Sequence, residues 1–171
     1  MNFKYKNRGY SLPEIIFYVA FFSVLTAIVV GMLVRMSNSR ERLQASQKVA
    51  NSATVSLDRM VREIRTASDM STSTSILDTN PGKLYLTSRD ASGNIRSVEF
   101  YIATNTLRIK ENNVDMGPLT EKGVSITNLI FRRSASSTDQ AIKVEMTLES
   151  GTSTSYKSEK FYSTTILRQS I

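Results

Sequence analysis

From Ile15 to Val34 the chain reads IIFYVAFFSVLTAIVVGMLV, twenty residues without a charge, of which seventeen are apolar; the exceptions Ser23, Thr26 and Gly31 are small. As a helix rising about 1.5 Å per residue, such a run crosses the roughly 30 Å hydrocarbon core of a bilayer. A buried core helix is the soluble alternative, but a small domain does not readily surround a helix that is apolar on every side. A cleaved secretory signal also begins basic and turns apolar. This run is longer than an ordinary signal core, and no A-x-A-like site follows it before Arg35.

The pattern then changes twice. Between Arg35 and Ala67 there is no Pro or Gly. Apolar or small residues recur there at Met36, Leu43, Ala50, Leu57 and Ile64, and again at Ser39, Ser46, Ala53, Met60 and Ala67. That seven-residue repeat predicts a helix packed along one face, continuing the apolar segment without a break from about Leu12 to Ala67, some 80 Å at the standard rise. Ser68–Ser75 (SDMSTSTS) competes for backbone hydrogen bonds and predicts a loop.

Beyond it, alternation at period two and β-branched or aromatic residues predict strands at Lys83–Ser88, Ile95–Ile102, Thr106–Lys110, Val124–Thr127 with Leu129–Arg132, Ala141–Glu149 and Ser158–Arg168. Turn residues separate them: Asn80-Pro81-Gly82, Ser92-Gly93-Asn94, Thr104-Asn105, Met116-Gly117-Pro118 and Ser150-Gly151. Short connections imply antiparallel pairing, and the helix stripe supplies a cover for one sheet face. The predicted class is α+β: a long N-terminal helix whose first half spans a membrane and whose second half carries an antiparallel β domain.

Composition narrows the chemistry. Among 171 residues there is no Cys, His or Trp, which excludes disulfides, thiolate or imidazole metal sites and Ser-His or Cys-His nucleophile systems. The pairs Asp58/Glu63 and Glu111/Asp115 read as solvated surface carboxylates rather than catalytic ones, so no enzymatic activity is expected. The run Glu111-Asn112-Asn113-Val114-Asp115 offers hard oxygens but lacks calcium-loop spacing and predicts a polar turn; no metal and no cofactor is expected. The formal charge of +7 would suggest nucleic acid if it were clustered on the domain. Instead residues 1–9 carry +3, Glu14 −1, residues 35–67 +4 and residues 68–171 only +1. Arg132-Arg133, without interleaved aromatics, argues little for nucleic acid.

The junction Gly9-Tyr10-Ser11-Leu12-Pro13-Glu14 is the most informative stretch. Glu14 stands at the mouth of an uncharged span, where a carboxylate carried to the bilayer centre would cost about 2.5–3.5 kcal/mol. Ser11-x-x-Glu14 is also a capping box, with Pro13 tolerated in the first turn and the acid favourable to the helix dipole. The two roles are compatible. Orientation by charge is nearly tied. Lys4, Lys6, Arg8 and the amino terminus flank one end, and Arg35, Arg40, Arg42 and Lys48 with Glu41 flank the other.

Taken together, a basic leader (Lys4, Lys6, Arg8) ending in Gly9, then Tyr10, Ser11, Leu12, a variable residue, Glu14 and the apolar span resemble the class III signal of type IV pilins and type II secretion pseudopilins. The segment Leu57–Ala67 and the closing Phe161–Arg168 segment are similar to J-type minor pseudopilins and related minor pilins. The resemblance implies a prepilin leader over 1–9, an assembly and membrane helix over 10–34, an amphipathic helix over 35–67 and a β domain over 68–171. It implies that a prepilin peptidase cuts between Gly9 and Tyr10 on the cytoplasmic side and that the new Tyr10 amine is methylated. Glu14 would meet that amine on a neighbouring subunit during assembly.

Implied partners are membrane lipid before assembly, the inner-membrane assembly platform and other pilin or pseudopilin subunits. The domain would lie outside the cell membrane and then in a pilus or pseudopilus. The sequence departs from the common pattern in having Tyr10 where Phe is commoner, Pro13 at the variable position, only Gly31 as a helix-weakening residue in the span, and no C-terminal Cys pair. A non-polymerising, signal-anchored surface binding protein is the alternative.

Overall fold

A computed structural model of the chain describes residues 11–89, 92–135, 140–153 and 155–167. One helix, α1 (Leu12–Thr66), runs 55 residues, close to the length predicted. It belongs to two compact units, Met1–Arg40 and Glu41–Ile171.

In the first unit the described helix buries nothing: its large apolar side chains, from Leu12 through Val34, are all exposed. Its apolar window has a mean hydropathy of 2.5, long and apolar enough to cross a membrane by length and composition.

In the second unit α1 is covered along one stripe: Ala45, Val49, Ser52, Ala53, Ser56, Met60, Glu63 and Ile64 are buried. The strands are β1 (Asp69–Met70), β2 (Leu84–Arg89), β3 (Ile95–Ala103), β4 (Thr106–Glu111), β5 (Val114–Pro118), β6 (Val124–Ala135), β7 (Gln140–Ser150) and β8 (Lys157–Ile166). They form two antiparallel sheets, β1-β2-β3-β4-β5 and β6-β7-β8, each with its strands in chain order. Leu84, Leu86, Val98, Phe100, Leu107 and Ile109 of the first sheet share one core with Ile126, Leu129, Phe131, Ile142, Val144, Met146 and Leu148 of the second, and with Val49, Ala53, Met60 and Ile64 of the helix. Each of these side chains other than Ala53 contributes about 1.5–3 kcal/mol by leaving water.

The α+β class stands, and several details depart from the prediction. The heptad positions Ala53, Met60, Ile64 and Ala67 are buried, but Met36, Ser39, Leu43 and Ala50 are exposed. A straight helix turns every 3.6 residues, so a strict seven-residue pattern slips by about 20° per heptad. Counted back from Ile64, the slip carries Ala50 and Leu43 off the packed face, and Ala45 and Val49 take their place; Met36 and Ser39 lie in the first unit, where every described helix residue is exposed. Within the predicted loop, Asp69 and Met70 pair with Thr87 and Leu86, and Met70 is buried. The predicted turn at Met116–Pro118 lies in β5 instead. Asn112 and Asn113 adopt φ of 47° and 65°, a two-residue primed turn that closes a β4–β5 hairpin. Thr104 and Asn105, at φ 49° and 57°, turn β3 into β4 in the same way.

Candidate functional site

Ser11 precedes α1, and its carbonyl accepts the N–H groups of Glu14 at 3.0 Å and Ile15 at 3.3 Å, the geometry of a helix start. Pro13 falls in the first turn, where its missing N–H breaks no intrahelical bond. Glu14 is exposed, and its Oε1 accepts the Tyr18 hydroxyl at 3.4 Å. The sequence reading did not use Tyr18, although its place four residues on puts it on the same helix face. Ser23 and Thr26, the polar interruptions of the span, donate back to the carbonyls of Val19 and Phe22 at 2.8 Å each. Their hydroxyls are therefore satisfied inside the helix and make no demand on water.

Among the remaining predicted residues, Lys4, Lys6, Arg8, Gly9 and Tyr10 lie outside the described residues. The described site is thus a run of exposed apolar side chains with one acid at its start. Its chemistry is that of a surface waiting for an apolar surrounding, since exposed patches of this extent on a protein mark membrane or protein contacts.

Of the other carboxylates singled out in the sequence, Asp58 is exposed as expected, whereas Glu63, Glu111 and Asp115 are engaged in ion pairs. Glu63 is 4% exposed and receives Arg96 Nη1 at 3.0 Å and Arg59 Nη2 at 2.9 Å. Glu111 takes Arg96 Nη2 at 2.9 Å and also bonds Arg59. Two acids and two arginines thus tie α1 to β3 and to the end of β4. Burial works to lower the Arg96 pKa, and the hydrogen bonds and charges of Glu63 and Glu111 hold it above the ordinary guanidinium value. Glu63 therefore has Arg59, Arg96 and Glu111 around it, not Asp58.

Asp115 belongs to a different cluster. It accepts from Arg108 Nε at 2.9 Å, the Gly117 N–H at 2.9 Å and the Tyr101 hydroxyl at 3.0 Å, and these bonds hold its pKa below the usual carboxylate value. Glu111 and Asp115 serve separate arginines across the hairpin. Arg132, considered for nucleic acid, pairs with Glu145 at 3.1 Å and Asp78 at 3.5 Å.

Compared with known protein families, curated proteins and solved structures, the chain matches none.

Proposed function

We propose that this chain is a minor type IV pilin or pseudopilin, a structural subunit rather than an enzyme. The observation that carries the reading is the exposed apolar half of α1 with Glu14 at its first turn, on a chain whose folded core lies entirely in the second unit. In this reading a prepilin peptidase cuts between Gly9 and Tyr10, the Tyr10 amine is methylated, and the helix waits in membrane lipid with the domain outside. The inner-membrane assembly platform then brings subunits together. Glu14 meets the amine of a neighbour in a low-dielectric helical bundle, where either charge alone is costly. Tyr18 would hold the carboxylate until that amine arrives. Removal of the leader also takes away three cations, Lys4, Lys6 and Arg8, that would otherwise enter the bundle.

Two measurements test this. Mass spectrometry of the protein from its native membrane should find a chain beginning at methylated Tyr10; a chain still beginning at Met1 would instead support a signal-anchored surface binding protein. Glu14→Gln keeps the residue's size and removes its charge. It should lower incorporation into filaments or their initiating complex by about tenfold or more, since it leaves a buried amine unpaired. Wild-type incorporation of that variant would remove Glu14 from the assembly mechanism.

A further inference from the structure

The uncharged span is not uniform around its axis. Its aromatic residues are Phe17, Tyr18, Phe21 and Phe22, all in its first half. At about 100° per residue, every one of them lies within about 80° of the direction of Glu14. Ile16, Val19, Ala20 and Ser23 take the far side, with no ring among them. An aromatic belt at a water–lipid boundary draws on Tyr and Trp and has no reason to keep to one side of a helix. Phe17 and Tyr18 are 77% and 59% exposed. Side chains on a helix lean toward its N-terminus, so these two rings lean back toward the carboxylate one turn before them. The Tyr18 hydroxyl, 3.4 Å from Glu14 Oε1, marks that lean and leaves Oε2 without a donor among the described residues. Deeper on the same face, Tyr18, Phe21, Phe22 and Leu25 line an open groove.

We propose that Glu14, Phe17 and Tyr18 together form a receptor for a methylated ammonium group, the N-terminal amine of a neighbouring subunit. The proposal rests on the reading above, in which cleavage and methylation create that amine. Charge selects the occupant: Glu14 is the one charged residue from Ser11 to Val34, and in lipid its partner must carry the opposite sign. The rings select the methyl group. An N-methyl ammonium keeps its charge but has one N–H fewer than the primary amine, so it gives up less hydration on entering an aromatic surround. Ring faces attract a cation within about 6 Å of their centres, and more strongly where water is excluded. One N–H of the ammonium donates to Oε2, while the methyl group lies against Phe17 and Tyr18. Methylation is then read by the neighbouring helix and is not only a mark left by processing.

The test measures incorporation of the full chain into filaments or their initiating complex, in cells whose peptidase either cleaves and methylates or only cleaves. Wild type should incorporate about threefold better or more when methylated. Phe17→Leu combined with Tyr18→Leu keeps the span apolar and Glu14 in place. It should lower incorporation by about tenfold and erase the benefit of methylation. Phe17→Tyr and Tyr18→Phe each retain the ring and should retain that benefit. Phe21→Leu combined with Phe22→Leu removes rings one turn deeper on the same face and should retain it too.

Glu14→Gln scores the underlying reading separately. If that variant incorporates as wild type does, the charge pair fails and the receptor with it. If it is impaired while the leucine pair gains from methylation as much as wild type, the receptor alone is overturned. A leucine pair weakened by the same factor with and without methylation makes the rings a packing surface for the next helix and overturns the proposal, as does a wild type indifferent to methylation. Should the leucine pair be missing from the membrane, Phe17→Leu alone, scored in the same two backgrounds, decides.

Discussion

At the scale of single residues, Glu63 is the side chain whose environment is least expected from its letter. Its carboxylate is 4% exposed, but Arg59 and Arg96 are 31% and 26% exposed and keep access to water. Removing the acid therefore leaves two partly hydrated cations that keep Glu111 as a partner, rather than stranding fully buried ones. Glu63→Gln should cost about 2 kcal/mol, below the 3–5 kcal/mol typical of breaking a fully buried pair. Denaturant unfolding of the full chain in detergent, followed by near-ultraviolet circular dichroism, measures it. A loss under about 0.5 kcal/mol would place the network among surface pairs of little worth.

Asp115 and Glu145 make a pH prediction. Asp115 is held low first by Arg108 and then by the Gly117 N–H, and Glu145 first by Lys143 and then by Arg132. A carboxylate with a depressed folded pKa stabilises above its unfolded pKa, and that contribution disappears as pH falls through the folded value. Amide exchange in the β4–β5 hairpin should therefore speed up below the ordinary carboxylate range. Asp115→Asn should flatten that acid limb without altering exchange in β7. The pairs Arg59–Glu63, four residues apart on the helix, and Lys143–Glu145, two apart on one strand face, are local enough to read from spacing, but the Arg96 partnership is not. Arg96 stands 33 residues from Glu63, and only the packing of β3 against α1 brings them together.

At the scale of elements, period carries most of the information and its exceptions carry the rest. The two halves predicted for one strand, Val124–Thr127 and Leu129–Arg132, are joined in β6 by a bulge: Ile126 pairs with Leu148 and Asn128 with Thr147, leaving Thr127 extra. The sequence shows the bulge as a change of parity, because Val124 and Ile126 point inward, and then Leu129 and Phe131. What sequence does not show is how the edge of β6 is closed. The segment between α1 and β2 does it: the Asp78 N–H donates to the Phe131 carbonyl at 2.9 Å and the Gly82 N–H to the Leu129 carbonyl at 2.8 Å. Asn80 Oδ1 accepts the Leu129 N–H at 2.9 Å. An edge capped in this way cannot recruit a foreign strand.

Gly82 is required there, since a Cβ would stand 2.8 Å from the Leu129 carbonyl oxygen and 3.1 Å from the Phe131 ring. Gly82→Ala should cost about 1–3 kcal/mol by overpacking and expose the β6 amides to exchange. Wild-type protection of Leu129 in that variant would show that the segment shifts without releasing the edge.

At the scale of the whole molecule, the sequence pattern predicts the class and the continuous helix, because both rest on long, strongly periodic segments. It does not say how the strands divide into two sheets, because strand order and the choice of partner depend on contacts that no local pattern encodes. The division of labour along α1 has a further consequence. Every buried residue of the helix lies at Ala45 or beyond, while the large apolar side chains from Leu12 to Val34 are exposed by 43% or more. The described residues of the first unit therefore present exposed apolar area and none of them is buried. Shortening the helix to begin near Glu41 leaves four N–H groups unsatisfied and frays about one turn, which ends as the first buried residue is reached.

A chain beginning at Asn38 retains Ser39 as a possible cap. It should be soluble without detergent and unfold in one cooperative transition, with a stability within about 0.5 kcal/mol of the same domain in the full chain. The measurement is a pair of urea unfolding curves, the shortened chain in buffer and the full chain in a non-ionic detergent. A shortened chain that aggregates, or that melts without a cooperative transition, would mean that residues 1–37 take part in folding the domain. The exposed apolar helix would then be a structural element of this protein before it is a surface for any other.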